Sequence, residues 1–425
     1  MKVGYAYWGF LGDKKLDSNH NPVSTPDGNA FYSWAIIWDL INNGHEVVKL
    51  MPDRDKPAFI DNGSKLFKSF ATEKREKAYL CSKSIDYPDD MVDATLEDLF
   101  AIWDSAGVDS CDVILLEWRM NIPGRNDFTS KANKVAGWQP DLFIQMCLVS
   151  YCMETKTKLV VFDLDYKLSY FQALKMYEKI PGFKVLELGD KWENEHPNVP
   201  SETVFIPFDF TEIYTFKPKV RVKDKLVYVG NRYERDWCID KYIPKDESGV
   251  AVYGNWLEGG RDSASRWPEI DFRSRITADK MHEVYSNSAC TILLAKESYC
   301  KYHFMTARLL EAIFYGSVPL FIEDYGDDYI KYLVGSHTSS LIVRSEADVV
   351  QKMNNFYENA CGRVRVLNSI RELLRSKFDV TNFTAALLGT PKPEWKEEVT
   401  PFEAWVGASF GKQRGFDGNS RNNKK

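Results

Sequence analysis

Short apolar runs alternate with segments of helical periodicity along most of the chain. Residues 2–7 form an apolar run that ends at a Gly turn, and the apolar side chains of 31–43 recur every three or four positions. Asn43-Gly44 is a typical helix stop, and the next apolar run is 45–51. A strand, a helix and a strand at this spacing predict two parallel strands joined by a right-handed crossover.

The alternation continues to residue 208 and starts again beyond a polar, Lys-rich stretch, 209–224. In the first half the further predicted elements are the strands 113–117, 159–163, 185–188 and 203–206 and the helix 142–152. In the second half the predicted strands are 225–230, 249–254, 290–295 and 318–322, and the predicted helices are 278–286, 305–315, 346–359 and 366–377. Each half therefore has the pattern of a doubly wound α/β unit.

The pattern predicts an α/β protein in which two Rossmann-like domains face a central cleft. The predicted boundaries are 1–208 for the first domain, 209–224 for a linker and 225–390 for the second domain. The segment 391–406 is expected to pack back on the first domain, and 407–425 to form a basic, flexible tail. Ligands of such sheets bind beyond the carboxyl ends of the strands.

Composition narrows the classes of function. The 425 residues include 55 Lys and Arg against 61 Asp and Glu, so any nucleic-acid contact needs a local basic face. Eight Cys without a CxxC pair and six dispersed His disfavour a zinc site or a disulfide framework. No run reaches the ~18 apolar residues of a membrane span, and the N-terminus does not match a signal peptide. We therefore expect a cytoplasmic protein without a membrane partner.

The first candidate ligand-binding element is the end of the strand 225–230. Gly230 and Asn231 close this strand, and Arg232 and Arg235 follow. Glycine lets the backbone approach a ligand, and two guanidinium groups beyond a strand can clamp a diphosphate with paired hydrogen bonds. The alternative is a solvated turn with surface arginines.

The second element is a helix that opens into an apolar strand. Arg308 and Glu311 are three residues apart and share one helical face, where a cation can reach phosphates while a carboxylate accepts two ribose hydroxyls. The alternative is an intrahelical salt bridge, worth only about 0.3–0.5 kcal/mol if exposed. The apolar neighbours of both residues indicate a largely buried helix, in which a charge pair needs a reason.

Together with the strand end Tyr253-Gly254-Asn255, these elements resemble the donor half of two-domain nucleotide-sugar glycosyltransferases, which have the GT-B fold. Within that fold the chain is most similar to the bacteriophage DNA β-glucosyltransferases. The resemblance implies a UDP-sugar as co-substrate, with arginines on its diphosphate and a glutamate on its ribose. The implied donor-binding residues are Gly9, Gly230, Asn231, Arg232, Arg235, Gly254, Asn255, Arg308 and Glu311.

The resemblance also implies a catalytic base after the strand 159–163. Asp165 falls on the position of the aspartate that, in the phage enzymes, takes the proton of the acceptor hydroxyl, which gives inversion in one displacement. Asp163 is the alternative base, and Asp27 could supply a second acidic residue. Both strand-end aspartates could equally be caps. A different interpretation is an Asp-x-Asp motif that holds Mn²⁺ or Mg²⁺, although no obligatory metal is expected.

Two basic segments of the first half suggest the acceptor. They carry Lys65, Lys68, Lys74, Arg75, Arg119, Arg125, Lys131 and Lys134. With the resemblance, they predict double-stranded DNA as the acceptor, at the hydroxyl of a hydroxymethylated pyrimidine such as hydroxymethylcytosine. The alternatives are a cell-surface glycan, a protein or a small molecule as the acceptor, or a UDP-sugar-binding module without catalysis.

Overall fold

Two parallel β-sheets organise the chain, one formed by each half of the sequence. The computed structural model describes residues 1–7, 15–16, 22–23, 29–51, 80–87, 94–118, 140–211, 217–257, 263–276 and 278–393. Within these ranges the strands are β1 (Lys2–Ala6), β2 (Lys15–Leu16), β3 (Pro22–Val23), β4 (Glu46–Lys49), β5 (Lys83–Ser84), β6 (Val113–Trp118), β7 (Leu159–Asp163), β8 (Lys184–Glu187), β9 (Ser201–Thr203), β10 (Asp224–Val229), β11 (Val250–Tyr253), β12 (Asp271–Arg273), β13 (Ser288–Leu293), β14 (Val318–Ile322) and β15 (Ile342–Val343).

The helices of the same ranges connect these strands. They are α1 (Asn29–Asn42), α2 (Leu96–Ser105), α3 (Pro140–Thr155), α4 (Tyr170–Lys179), α5 (Lys191–Glu195), α6 (Asp236–Tyr242), α7 (Ser263–Arg266), α8 (Ala278–Ser286), α9 (Glu297–Lys301), α10 (Arg308–Tyr315), α11 (Asp327–Val334), α12 (Thr338–Leu341), α13 (Glu346–Glu358), α14 (Ala360–Phe378) and α15 (Val380–Leu388). None of these described helices is both long and apolar enough to cross a bilayer.

The neighbouring strands of both large sheets run parallel. The first sheet has the order β5-β4-β1-β6-β7-β8-β9, and the second has the order β12-β11-β10-β13-β14-β15. In β1, Val3 pairs with Val47 of β4 on one side and with Val113 of β6 on the other. The first strand of each half therefore lies between its successors, which is the doubly wound arrangement. The predicted α/β class with two Rossmann-like sheets is confirmed.

The central strands are buried on both faces, which explains their nearly continuous apolar sequences. Every residue of β6, β7 and β13 is buried. These strands contain few polar residues; Glu117 of β6 is one of them, and its carboxylate accepts hydrogen bonds from the hydroxyls of Tyr5 and Ser33. Charged groups otherwise gather where the strands end.

Most predicted elements form close to their predicted bounds. The helix 278–286 and the strand 318–322 coincide with α8 and β14. The predicted strand 203–206 starts two residues after the observed strand, because the backbone pairing that defines β9 joins Ser201 to Val185 and ends at Thr203.

The last described helix returns to the first half of the chain. α15 packs on α1, and the ring of Phe383 meets that of Phe162 edge-on with 5.0 Å between their centroids. The hydroxyl of Thr384 donates to the buried carboxylate of Asp39. The predicted second domain, 225–390, would include this helix. The domain and linker boundaries remain predictions, and residues 394–425 lie outside the described ranges.

The contact between α15 and the first half can be tested by truncating its central aromatic side chain. Phe383 is 2% exposed, so Phe383→Ala removes a buried ring and should lower the free energy of unfolding by about 3–5 kcal/mol. Urea denaturation measures this loss. Tyr357→Ala, at a residue that is 38% exposed, is the control and should change it by less than about 1 kcal/mol.

Candidate active site

A cleft lies where the carboxyl ends of the two sheets face each other. Its volume is ≈ 260 Å³, and both halves line it. Leu164 and Asp165 follow β7, while Gly230 and Gly254 follow β10 and β11, so the cleft occupies the usual ligand position of parallel sheets. The lining residues are Tyr32, Leu164, Asp165, Leu188, Ile206, Val229, Gly230, Asn231, Arg235, Tyr253, Gly254, Arg275, Ile276, Met281, Tyr299, Phe304, Thr306, Ala307, Arg308 and Glu311.

Two glycines bring the ends of β10 and β11 into contact. Gly254 has a φ of +147°, and a Cβ there would lie 2.1 Å from the carbonyl oxygen of Gly230. A Cβ on Gly230 would lie 2.6 Å from Nε of Arg308. Neither position has room for a side chain, so both residues contribute only backbone to the cleft that they line.

Arg308 and Glu311 both line the cleft, as their spacing on one helical face predicts. The helix α10 begins at Arg308 rather than at the predicted residue 305. Nε of Arg308 donates to the carbonyl oxygen of Val229 at 2.6 Å, and the guanidinium lies over the ring of Tyr228. Glu311 is 6% exposed and accepts from the hydroxyl of Tyr285 at 3.3 Å, and burial raises the pKa of its carboxyl.

The two arginines that follow β10 have different partners. Arg235, which is buried, lines the cleft and donates from Nη1 to the carbonyl oxygen of Tyr233 at 2.8 Å. Arg232 donates through Nε and Nη2 to the two carboxylate oxygens of Asp236 at 2.7 and 2.6 Å. Its backbone N–H donates to Oδ1 of Asn255 at 2.8 Å. The structure thus brings Arg235 into the cleft and leaves Arg232 and Asn255 in the adjoining loops.

The two aspartates at the end of β7 also have different environments. Asp165 lines the cleft, and its Oδ1 accepts from the hydroxyl of Tyr299 at 3.0 Å. Asp163 is fully buried, and its Oδ1 accepts from the backbone N–H groups of residues 167 and 168 at 2.8 and 3.3 Å. Its Oδ2 accepts from Nε1 of Trp192 at 3.0 Å. Asp163 therefore stabilises the loop that presents Asp165.

Solved structures with a similar fold are known, although no protein-family model and no curated protein sequence matches the chain. T4 phage β-glucosyltransferase is 13% identical, with a TM-score of 0.55 over 91% of this chain and 99% of that one. Anabaena HepE, solved in complex with UDP-glucose, is 10% identical, with a TM-score of 0.51 over 91% and 98%. Sucrose-phosphate synthase from Thermosynechococcus elongatus is 9% identical, with a TM-score of 0.50 over 91% and 96%. The chain has the GT-B fold.

At these identities the likeness establishes the GT-B fold alone, and the assignment of single residues depends on the geometry of the cleft. Residues that sequence reasoning missed include Tyr299, which follows β13, and Arg275, which follows β12. Their position just beyond strand ends was the available signal, because that edge of a GT-B sheet faces the cleft. The apolar Ile276 and Met281 line the same cleft and carried no signal in the sequence.

Several predicted residues lie outside the described part of the GT-B chain. Among the site residues these are Gly9 and Asp27. All the predicted DNA-binding residues also lie outside the described ranges, namely Lys65, Lys68, Lys74, Arg75, Arg119, Arg125, Lys131 and Lys134. Their roles remain predictions.

Two buried carboxyl groups lie behind the GT-B cleft. Burial raises the pKa of Asp163 to about 6 and that of Glu187 to about 7. Glu187 accepts from the backbone N–H groups of Trp192 and Glu193 at 2.9 and 3.1 Å, so these carboxyl groups tie the start of α5 to the ends of β7 and β8. In the unfolded chain both would lose their protons near pH 4.

Because the folded protein holds the Asp163 proton more tightly than the unfolded chain does, the stability due to this group falls as pH rises from about 4 to 7. Asp163→Asn removes the titration. The unfolding free energy of the wild type minus that of Asp163→Asn should therefore decrease by about 2–3 kcal/mol over this interval, measured by urea denaturation at each pH.

Asp246→Asn, at an exposed carboxylate, is the control and should show a difference that does not vary in this way. A wild-type minus Asp163→Asn difference that stays constant or increases with pH would contradict the assignment of a raised pKa to Asp163.

Proposed function

We propose that the protein is a glycosyltransferase that moves a sugar from a UDP-sugar to a hydroxyl group. The observation that carries this proposal is that a candidate base and candidate diphosphate-binding residues line the same cleft. Asp165 comes from the first half, whereas Arg235, Arg308 and Glu311 come from the second. A base and a diphosphate site on opposite walls suit a transfer between two bound substrates.

The partners of the arginines support a diphosphate site. Arg235 and Arg308 donate to backbone carbonyl oxygens, so no carboxylate is hydrogen-bonded to either guanidinium among the described residues. Their positive charge is available to an anion in a partly water-excluded cleft, where charge-assisted hydrogen bonds are strong. Arg232, in contrast, is paired with both oxygens of Asp236. We therefore assign the diphosphate to Arg235 and Arg308, with the ribose hydroxyls on Glu311.

Asp165 is the proposed base. Its carboxylate accepts the proton of the acceptor hydroxyl while that oxygen forms a bond to the anomeric carbon of the sugar. The bond between the anomeric carbon and the diphosphate oxygen breaks at the same time, UDP leaves with the electron pair, and the configuration inverts. Arg235 and Arg308 stabilise the negative charge that develops on the departing diphosphate.

The contacts of Asp163 argue against the two alternatives for this residue. Both of its carboxylate oxygens are hydrogen-bonded within the first half, so neither is directed at an acceptor or at a metal ion shared with Asp165. Within the described ranges, no group of three or more His, Cys, Asp or Glu residues could hold a metal ion. T4 phage β-glucosyltransferase has been solved with UDP and Mn²⁺, so a metal carried by the diphosphate itself is compatible with this cleft.

For the acceptor we propose a hydroxymethylated pyrimidine in double-stranded DNA. The support is the likeness to a DNA-modifying β-glucosyltransferase and the two basic segments of the first half. The same fold occurs in sucrose-phosphate synthase, so the fold itself does not select the acceptor.

The activity can be tested by measuring UDP release from a panel of UDP-sugars, with and without hydroxymethylcytosine-containing DNA and in the presence of excess chelator. We expect release that DNA stimulates and that survives the chelator, because the proposed donor site uses guanidinium groups. Release that DNA does not affect would move the acceptor to another class. Loss of release with chelator would show that a metal ion is required, bound either with the diphosphate or at the Asp163–Asp165 turn.

Arg308→Ala tests the donor site. Removal of a charged hydrogen-bond donor should lower kcat/KM for the UDP-sugar by roughly 10- to 100-fold, with losses in both donor affinity and rate. Arg344→Ala is a matched control, because Arg344 is half exposed and pairs with Glu323 and Asp327 away from the cleft. Unchanged affinity and rate in Arg308→Ala would show that the diphosphate binds elsewhere.

Asp165→Asn tests the base. The amide keeps the size of the side chain and cannot take the proton, so kcat should fall by about 10²- to 10⁴-fold with little change in donor affinity. Steady-state UDP release together with calorimetric binding of UDP separates these two effects. An active Asp165→Asn variant would contradict the assignment.

A further inference from the structure

One short segment of the second half reaches across to the first half beside the cleft. In this segment, 299–303, the hydroxyl of Tyr299 donates to Asp165, and the carbonyl oxygen of Tyr302 accepts from the backbone N–H of Asp190 at 3.1 Å. His303 Nδ1 and Asp190 Oδ2 lie 2.7 Å apart. Of these three contacts, the hydrogen bond from Tyr299 is the one that reaches the proposed base, Asp165.

The packing around Tyr299 holds its hydroxyl at a fixed position. The side chain is 7% exposed, and its ring stacks on that of Phe304 with 4.2 Å between centroids and 18° between planes. Its backbone N–H donates to the carbonyl oxygen of Lys296 at 3.0 Å, which places it in the first turn of α9 after β13. A buried, stacked ring has few accessible rotamers, so its hydroxyl is a fixed point at the cleft wall.

We propose that Tyr299 is a positioning residue for the base Asp165, an inference that rests on the proposed function. Within the described ranges, Tyr299 is the hydrogen-bond donor to this carboxylate, through Oδ1. The bond fixes the rotamer of Asp165 and leaves Oδ2 to take the acceptor proton.

The two residues belong to opposite halves of the chain, 134 positions apart. The donor-binding half therefore orients the base of the acceptor half. Tyr299 stays protonated and able to donate, because its burial and the nearby charge of Asp165 both raise the pKa of the phenol. The other charged groups that face it are Arg235, Arg308 and Lys296.

Tyr299→Phe removes the hydroxyl and keeps the stacked ring. We expect kcat for UDP release to fall about tenfold while KM for the UDP-sugar stays within about twofold, because one hydrogen bond to a charged group is lost on the acceptor side. A general loosening of the cleft would instead change kcat and KM together.

Tyr302→Phe is the matched control. Tyr302 lies on the same segment, and its hydroxyl also donates to a carboxylate of the first half, that of the partly exposed Glu195. This variant removes the same group without touching Asp165, so it should keep the wild-type kcat and KM. If both variants lose activity equally, the effect comes from the contact between the halves and the positioning role is wrong.

The Asp165→Asn background provides a second test. Without the carboxylate, Tyr299→Phe should cause no further loss of activity, whereas independent roles would give additive losses. A wild-type enzyme that is active and a Tyr299→Phe variant with unchanged kcat would overturn the inference while leaving the proposed function intact.

If instead the wild type releases no UDP from any sugar of the panel, the proposed function fails, and the contact is tested without turnover. The ¹³C carboxyl chemical shift of Asp165, assigned with Asp165→Asn, is then compared under the same conditions in the wild type, Tyr299→Phe and Tyr302→Phe. A chemical shift that changes in Tyr299→Phe and not in Tyr302→Phe supports the orienting hydrogen bond, and one that is the same in all three proteins refutes it.

Discussion

Parallel strand pairing places every polar loop that follows a strand at one edge of its sheet, and this constraint organises the whole molecule. The loops after β7 and β8 in the first half meet those after β10, β11 and β13 in the second half around one cleft. The interiors of the strands are apolar on both faces, so charged side chains are tolerated mainly where the strands end. The chemistry of the protein is therefore confined to this edge by the same rule that builds the core.

Buried charges at this edge are stabilised in two different ways. The carboxylate oxygens of Asp163 and Glu187 accept hydrogen bonds from N–H groups of their own half, and these bonds stabilise the loops. Arg235 and Arg308 are held by carbonyl oxygens, which fix the guanidinium groups without cancelling their charge. The first arrangement supports the site, and the second leaves a charge for a ligand.

The contact of Tyr299 with Asp165 joins these two arrangements. It brings a side chain from the arginine-bearing half to the aspartate of the other half, in the cleft that Gly230 and Gly254 also line. The proposed donor-binding residues and the proposed base therefore line one cleft rather than two separate pockets. Precise placement of a base relative to a bound donor is what a displacement reaction requires.

The α/β alternation, the two sheets and the pairing of Arg308 with Glu311 on one helical face follow from the sequence alone, because strand and helix periodicities are local properties. The choice between the two neighbouring aspartates does not follow from the sequence, because Asp163 and Asp165 are only two positions apart. For the arginines a local contact is decisive, since Asp236 lies four residues after Arg232 and pairs with it, whereas Arg235 lines the cleft. Tertiary packing decides between the aspartates, since Trp192 binds Asp163, and Tyr299, 134 residues from Asp165, reaches that carboxylate only in the folded chain.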